Sequence, residues 1–286
     1  MLSSYEILLL NLIFNDGITN KLIGVWYSEY YNEMVLVRVY GHKTELLINR
    51  KDETRNIRIL NKAGFTHSIY ATFNNGLAYQ FIEGVTLTTE TVRKPDVYTL
   101  IAKRMAQMHK LKPDSDEISK EACIWSKLRK FMDIMPKRFS DEAKQTRFEE
   151  LIKPNAVLEE NYLLLKETLT SLNSKVVFAH NDLLLGNVLY NQKENIVTFI
   201  DFEYTAYNYQ PYDIANHFAE FAGIDKPDYS LYPEDNLQKA WLNIYLQEYN
   251  NSEHSTIDFD FLEYAAIRFN EYFKQKEDFL SMRLYI

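Results

Sequence analysis

Apolar and polar positions follow two rhythms along this chain, and the change between them divides it. Met34 to Tyr40 (MVLVRVY) is rich in β-branched residues, ends at Gly41, and predicts a strand. Leu22 to Tyr27 predicts its partner. Between Lys51 and Ala63, Ile57 and Leu60 fall three apart ahead of Gly64, which reads as a helix and its stop. Ser68 to Thr72 and Leu77 to Ile82 flank Asn74-Asn75-Gly76, an Asn-Gly hairpin signal. From Val97 the period changes: DVYTLIAKRMAQMHKL spaces its apolar residues as a helix does, and helical texture continues to about Leu172. Short strand-like runs return at Val176–Ala179, Asn187–Tyr190 and Ile196–Ile200, and helix resumes from Asp213. The opening MLSSYEILLLNLIFND holds an apolar run with no basic leader and no small-residue cleavage site. It is too short to span a bilayer and predicts a packed first helix.

A strand-rich first part, a connector at Gln80–Thr86 and a helical second part describe a bilobal α+β fold, with lobes at 1–84 and 85–286. A chain of 286 residues can bury enough core for two lobes around one cleft. Only 8 Gly and 7 Pro, with no internal repeat, exclude low-complexity and solenoid architectures. A formal charge of −8 argues against a broad basic face for nucleic acid and suits a cationic ligand. Cys123 is the one cysteine, so no intrachain disulfide can form. That and the lack of a transmembrane stretch predict a cytoplasmic protein. Cys123 lies in the helix-like EACIWSKL and reads as a bystander.

The chemistry concentrates in FAHNDLLLGNVLYNQKENIVTFIDFEY, residues 178–204. His180-x-Asp182 is followed five positions later by Asn187, and Asp201-Phe202-Glu203 ends the next strand pair. Protein kinases use the same grammar: a catalytic loop, a hairpin, then an Asp-Phe pair. Phosphoryl transfer needs a carboxylate to orient the attacking hydroxyl and accept its proton, which assigns Asp182. It also needs hard oxygen ligands for Mg²⁺, which assigns Asn187 and Asp201. His180 is expected to support the loop through its ring hydrogen bonds.

HNDLLLGNVLYN and FIDFEYTAYNYQPYDIANHFAEFAG, with DGITNKLIG, MVLVRVYGHKTELLINR, TFNNGLAYQFIEG and DYSLYP, resemble the choline/ethanolamine kinase family, and the ethanolamine kinases most. The similarity runs from about Asp16 to Lys274. It implies a protein-kinase-like fold, MgATP as donor, ethanolamine as acceptor, and the first step of the CDP-ethanolamine route to phosphatidylethanolamine. Asp16 to Leu22, with Gly17, Thr19 and Asn20, matches the family's phosphate-covering loop. Arg38 matches an ATP-contacting Arg. Such a charge in an apolar strand needs an anionic partner, phosphate or Glu53, unless the strand is an edge facing water. Gln80 and Ile82 fall in the connector beside the adenine. Glu203, Tyr204 and Tyr264 match acceptor-pocket positions, where a primary ammonium wants carboxylate acceptors and aromatic walls. Asp213 would either cap the helix DIANHFAEF or hold the catalytic loop. A homodimer is the expected assembly.

The chain departs from the family after Tyr249, where NNSEH leads straight into STIDFDFLEY. Relatives insert a few dozen residues there, including an aromatic-rich helix that walls the acceptor pocket. The alternatives are a choline kinase, against which the missing aromatic helix counts, another small-molecule phosphotransferase of this fold, or a weakly active, regulatory form, which the omission favours.

Overall fold

The computed structural model describes residues 9–14, 20–27, 30, 33–41, 48–223 and 227–251. The first sheet holds β1 (Leu9–Phe14), β2 (Asn20–Tyr27), β3 (Val35–Tyr40), β4 (Ile69–Phe73) and β5 (Gly76–Gln80), in the order β1-β2-β3-β5-β4 and antiparallel throughout. β1 corrects the expected first helix. The run LLNLIF pairs residue by residue with β2, from Leu9 opposite Tyr27 to Phe14 opposite Leu22. A nearly uniform apolar run has no period to tell helix from strand, and the neighbouring ladder decided for strand.

β3 is central in this sheet, so Arg38 is buried at 8% exposure rather than facing water. Gly76 lets β5 approach it: a Cβ there would lie 2.1 Å from the Arg38 carbonyl oxygen. Helix α1 (Arg50–Lys62) starts at Asn49, whose side chain accepts from Lys51 N and Asp52 N, and stops at Gly64 with φ 76°. It buries Glu53, Asn56, Ile57 and Leu60.

Past the connector, β6 (Val85–Thr86) pairs with β8 (Val188–Asn191), and β8 with β9 (Ile196–Phe199). β7 (Val176–Ala179) pairs with β10 (Ala206–Tyr209), a strand the sequence pattern did not predict. The helices are α2 (Pro95–His109), α3 (Cys123–Ile134), α4 (Glu142–Leu151), α5 (Asn155–Ser171), α6 (Gln210–Ala219) and α7 (Asp235–Asn250). The core joins Ile101 and Met105 of α2 to Phe178, Phe199, Phe202, Phe218, Trp241 and Tyr245, all at 1% exposure or less. That packing fixes β7 and β9, which present the two loops of the site. No described helix is long and apolar enough to cross a membrane.

Candidate active site

β7 delivers the chain into His180-Asn181-Asp182, with Asn181 in the left-handed region at φ 67°. Asn tolerates that region better than most residues, and here its side chain fixes it there. Nδ2 donates to Tyr204 O (3.1 Å) and Ala206 O (3.2 Å), while Oδ1 accepts from Asn208 Nδ2 (2.7 Å). One asparagine thus joins the catalytic loop to the segment after Asp201. Asp201 is itself left-handed, at φ 62°, two residues past the end of β9. Local strain of this kind collects where a side chain must be aimed.

Asp213 anchors the loop from behind. It is fully buried, and its carboxylate accepts from His180 N (2.9 Å), Asn181 N (2.6 Å) and His109 Nε2 (2.9 Å). It does not cap a helix, because α6 begins three residues earlier and the carboxylate is committed to the loop. Behind it runs a relay: Gln210 Nε2 donates to Tyr245 OH (2.9 Å), and that hydroxyl pairs with His109 Nδ1 (2.7 Å). Burial, the largest single influence, would raise the Asp213 pKa, but the bond and charge of His109 together with His180 hold the group below its usual value. His180 Nε2 donates to Ile200 O (3.0 Å), tying the loop to the residue before Asp201, and burial lowers its pKa so that the ring stays neutral.

A ladder of alternating charge crosses to the first sheet. Arg38 pairs with Glu53 and with Asp201 (3.2 Å); Arg50 pairs with Glu53 (3.0 Å) and with Glu203 (3.1 Å). Burial alone would depress the Arg38 pKa, but Asp201, Tyr79 and Glu203 together raise it. Burial and the nearby Asp201 raise Glu203, against the pull of Arg38 and Arg50. Carboxylate oxygens of Glu53, Asp201 and Glu203 lie within 4.8 Å of one another. Arg38 and Arg50 already neutralise much of that charge, and Asp201, its side chain 31% exposed, is the most open of the three to a cation.

Asn187 closes the 3-10 turn Leu185–Asn187; its Nδ2 donates to Asp182 O (2.8 Å), and its carbonyl accepts from Ile200 N (3.0 Å). With the amide nitrogen spent, Oδ1 is the atom Asn187 has for a ligand. Asn187 Oδ1 and the Asp201 carboxylate are hard oxygen donors, a set that fits Mg²⁺. Lys127 of α3 reaches in from the other side. Its Nζ donates to Tyr204 O (2.9 Å) and stands 4.9 Å from the Tyr204 ring centroid.

The structure therefore gathers Asp182, Asn187, Asp201, Arg38, Glu53, Glu203 and Tyr204 into one linked network. Gln80 and Ile82 instead line a cavity of about 480 Å³ with Phe65, His67, Arg104 and Thr198, which holds none of the three catalytic-loop candidates. The Gln80 N–H bonds Ser68 O and the Phe81 N–H bonds Met34 O, so neither is spare for an adenine. Asn20 opens β2 opposite Tyr40. Gly17, Thr19, Tyr264 and the shortened stretch after Asn251 lie outside the described residues. Sequence patterns pointed to neither Arg50, Asn181, His109 nor Lys127. Polar helix residues usually face water and a loop asparagine usually serves a turn, but each of these meets a partner far away in sequence.

A small antiparallel lobe, a helical lobe and a loop with catalytic, metal and phosphate candidates define a protein-kinase-like phosphotransferase fold. The chain matches the choline/ethanolamine kinase family model over residues 12–256, and it belongs to that family. Ethanolamine kinase of Drosophila melanogaster is 43% identical over 291 residues, covering 89% of this chain and 56% of that protein. This chain thus spans little more than half the length of the fly relative. Ethanolamine kinase 1 of Mus musculus is 40% identical over 310 residues, covering 95% of this chain and 85% of that protein. Those 310 aligned positions exceed the 286 residues here, so the mouse protein carries residues with no counterpart in this chain. Among solved structures, a Plasmodium vivax ethanolamine kinase superposes with TM-score 0.73 at 26% identity, covering 91% of this chain and 71% of that one. Choline kinase of Cryptosporidium parvum shares the fold, with TM-score 0.70 at 24% identity and coverage of 96% and 90%. Membership of a kinase family implies ATP as the phosphoryl donor.

Proposed function

We propose that this chain transfers the γ-phosphoryl group of MgATP to the hydroxyl of ethanolamine, giving phosphoethanolamine for phosphatidylethanolamine synthesis. The carrying observation is the double anchorage of the catalytic loop. Asp213 holds its backbone, Asn181 and His180 join it to the Asp201 segment, and Arg38 ties Asp201 to Glu53. Phosphoryl transfer depends mostly on positioning and charge neutralisation, and a preset loop supplies the positioning.

Asp182 orients the ethanolamine hydroxyl and accepts its proton. Asn187 and Asp201 hold the Mg²⁺, which when bound neutralises charge on the phosphate oxygens. Arg38 adds a second cation for those oxygens, with Gly17, Thr19 and Asn20 covering them and Gln80 and Ile82 beside the adenine. Glu203, Tyr204 and Tyr264 line the site for the ammonium, whose N–H bonds the carboxylate accepts. The division into lobes at residue 84 belongs to the same reading; β6, just beyond it, pairs with β8. A reducing cytoplasm suits the unpaired Cys123, whose burial raises its pKa, and the resemblance implies a homodimer.

The test is steady-state turnover of MgATP with ethanolamine, comparing wild type with Asp182→Asn. The expected result is turnover by wild type and a loss of about 10²–10⁴-fold in the variant with ATP binding kept. A wild type as inert as the variant, while both bind ATP, would overturn catalysis in favour of a regulatory role. Preferred turnover of choline would reassign the acceptor.

A further inference from the structure

Lys127 is a long cation in a position where lysine is seldom useful as surface charge. Burial lowers its pKa while Cys123, Asp182, Asp213 and Glu203 pull it up, so its ammonium sits within the field of the site's own carboxylates. Its Nζ donates to the Tyr204 carbonyl at 2.9 Å, beside Asn181 Nδ2 on the same oxygen at 3.1 Å. The same Nζ lies over the Tyr204 ring, 4.9 Å from the centroid. An aromatic face takes a cation by its quadrupole, and a face already holding an ammonium has no second cation to take.

Two kinds of substrate ammonium would experience this differently. A quaternary ammonium has no N–H donor, so aromatic faces are its principal partners. A primary ammonium has three N–H donors and can be held by carboxylate oxygens without any ring. Arg50 takes Oε2 of Glu203 at 3.1 Å, which narrows the remaining acceptor to a directional one. We propose that Lys127 is a specificity-determining residue: by holding one ring face of Tyr204 it removes an aromatic partner that a quaternary ammonium would use and leaves the carboxylates to a primary one. This rests on the ethanolamine kinase reading and names the residue that enforces it.

The experiment measures kcat/KM for ethanolamine and for choline at saturating MgATP, for the full chain as wild type, Lys127→Met, Lys127→Gln and Lys127→Arg. Gln removes the charge and keeps a donor for the Tyr204 carbonyl, so it guards against a Met variant that does not fold. Both neutral variants should raise the choline-to-ethanolamine ratio about tenfold, through a lower KM for choline, a factor between those of an exposed and a fully desolvated cation–π contact. Arg should keep the wild-type ratio, and KM for ATP should not move. A charge-neutral variant that loses both acceptors by one common factor, with the ratio unchanged, would overturn the inference and leave Lys127 a structural clamp. Wild type that turns over neither acceptor would overturn the kinase reading and this one together, a result visible before any variant is made.

Discussion

Replacing Asp213 tests the claim that catalysis depends on a loop held from behind. Asp213→Ala removes the acceptor for three donors, the N–H groups of His180 and Asn181 and the Nε2–H of His109, all buried. Each orphaned buried donor costs about 1–3 kcal/mol, and losing one partner of a buried ionic network costs about 3–5 kcal/mol. Taking about 4 kcal/mol for the set, with about 2–4 °C per kcal/mol at this chain length, the melting temperature should fall by about 10 °C. Asp213→Asn keeps one acceptor oxygen but turns an NH₂ toward a donor, so it should fall between Ala and wild type. The kinetic consequence is separate. Asp182 follows directly after the two anchored amides, and a displacement of about 1 Å in such a group costs about 100-fold in rate. The assays are thermal unfolding by circular dichroism and single-turnover phosphoryl transfer below the variant's melting range, with ATP binding read in parallel. An Ala variant that melts within about 2 °C of wild type and keeps its kcat would refute the anchor, since three orphaned donors could not be so cheap.

The remaining predictions concern the charge ladder and pH. Glu53→Gln and Arg38→Met should each destabilise the protein, and the double variant should show a coupling of about 1–3 kcal/mol in a chemical-denaturation cycle; simple additivity would mean the two do not interact. His217 donates through Nδ1 to Leu183 O at 3.0 Å and is fully buried, and burial depresses its pKa to about 4. The unfolded chain takes up a proton there near pH 6.5 and the folded chain only near 4, so stability is complete above 6.5 and declines as pH falls through that window. The decline is about 3 kcal/mol, and His217→Asn, which keeps a donor for Leu183 O, should flatten the melting-temperature profile between pH 4 and 6.5. A profile of unchanged slope would remove His217 as the source.

How much of this was legible in the sequence depended on how local each cause is. Asp182, Asn187 and Asp201 stand out because a catalytic loop and its hairpin impose a spacing on the chain itself. β3 was readable because β-branched residues crowd MVLVRVY, and α1 because its apolar positions fall three apart before a glycine. β1 was misread because LLNLIF has no period, and only its ladder with β2 settles the matter. β10 was missed for the opposite reason. Its AYNY pairs with β7 and buries Asn208, a residue that strands usually avoid, because Asn181 Oδ1 is there to accept from it. The same logic hid Arg50, His109 and Lys127. Arg50 meets Glu203 across 153 residues, His109 meets Asp213 across 104, and Lys127 meets Tyr204 across 77. A charge on a helix announces water unless something distant claims it, and these three were claimed by the site. The residues that do the chemistry are therefore written in local spacing, while those that hold it in place and choose its substrate are written in the fold.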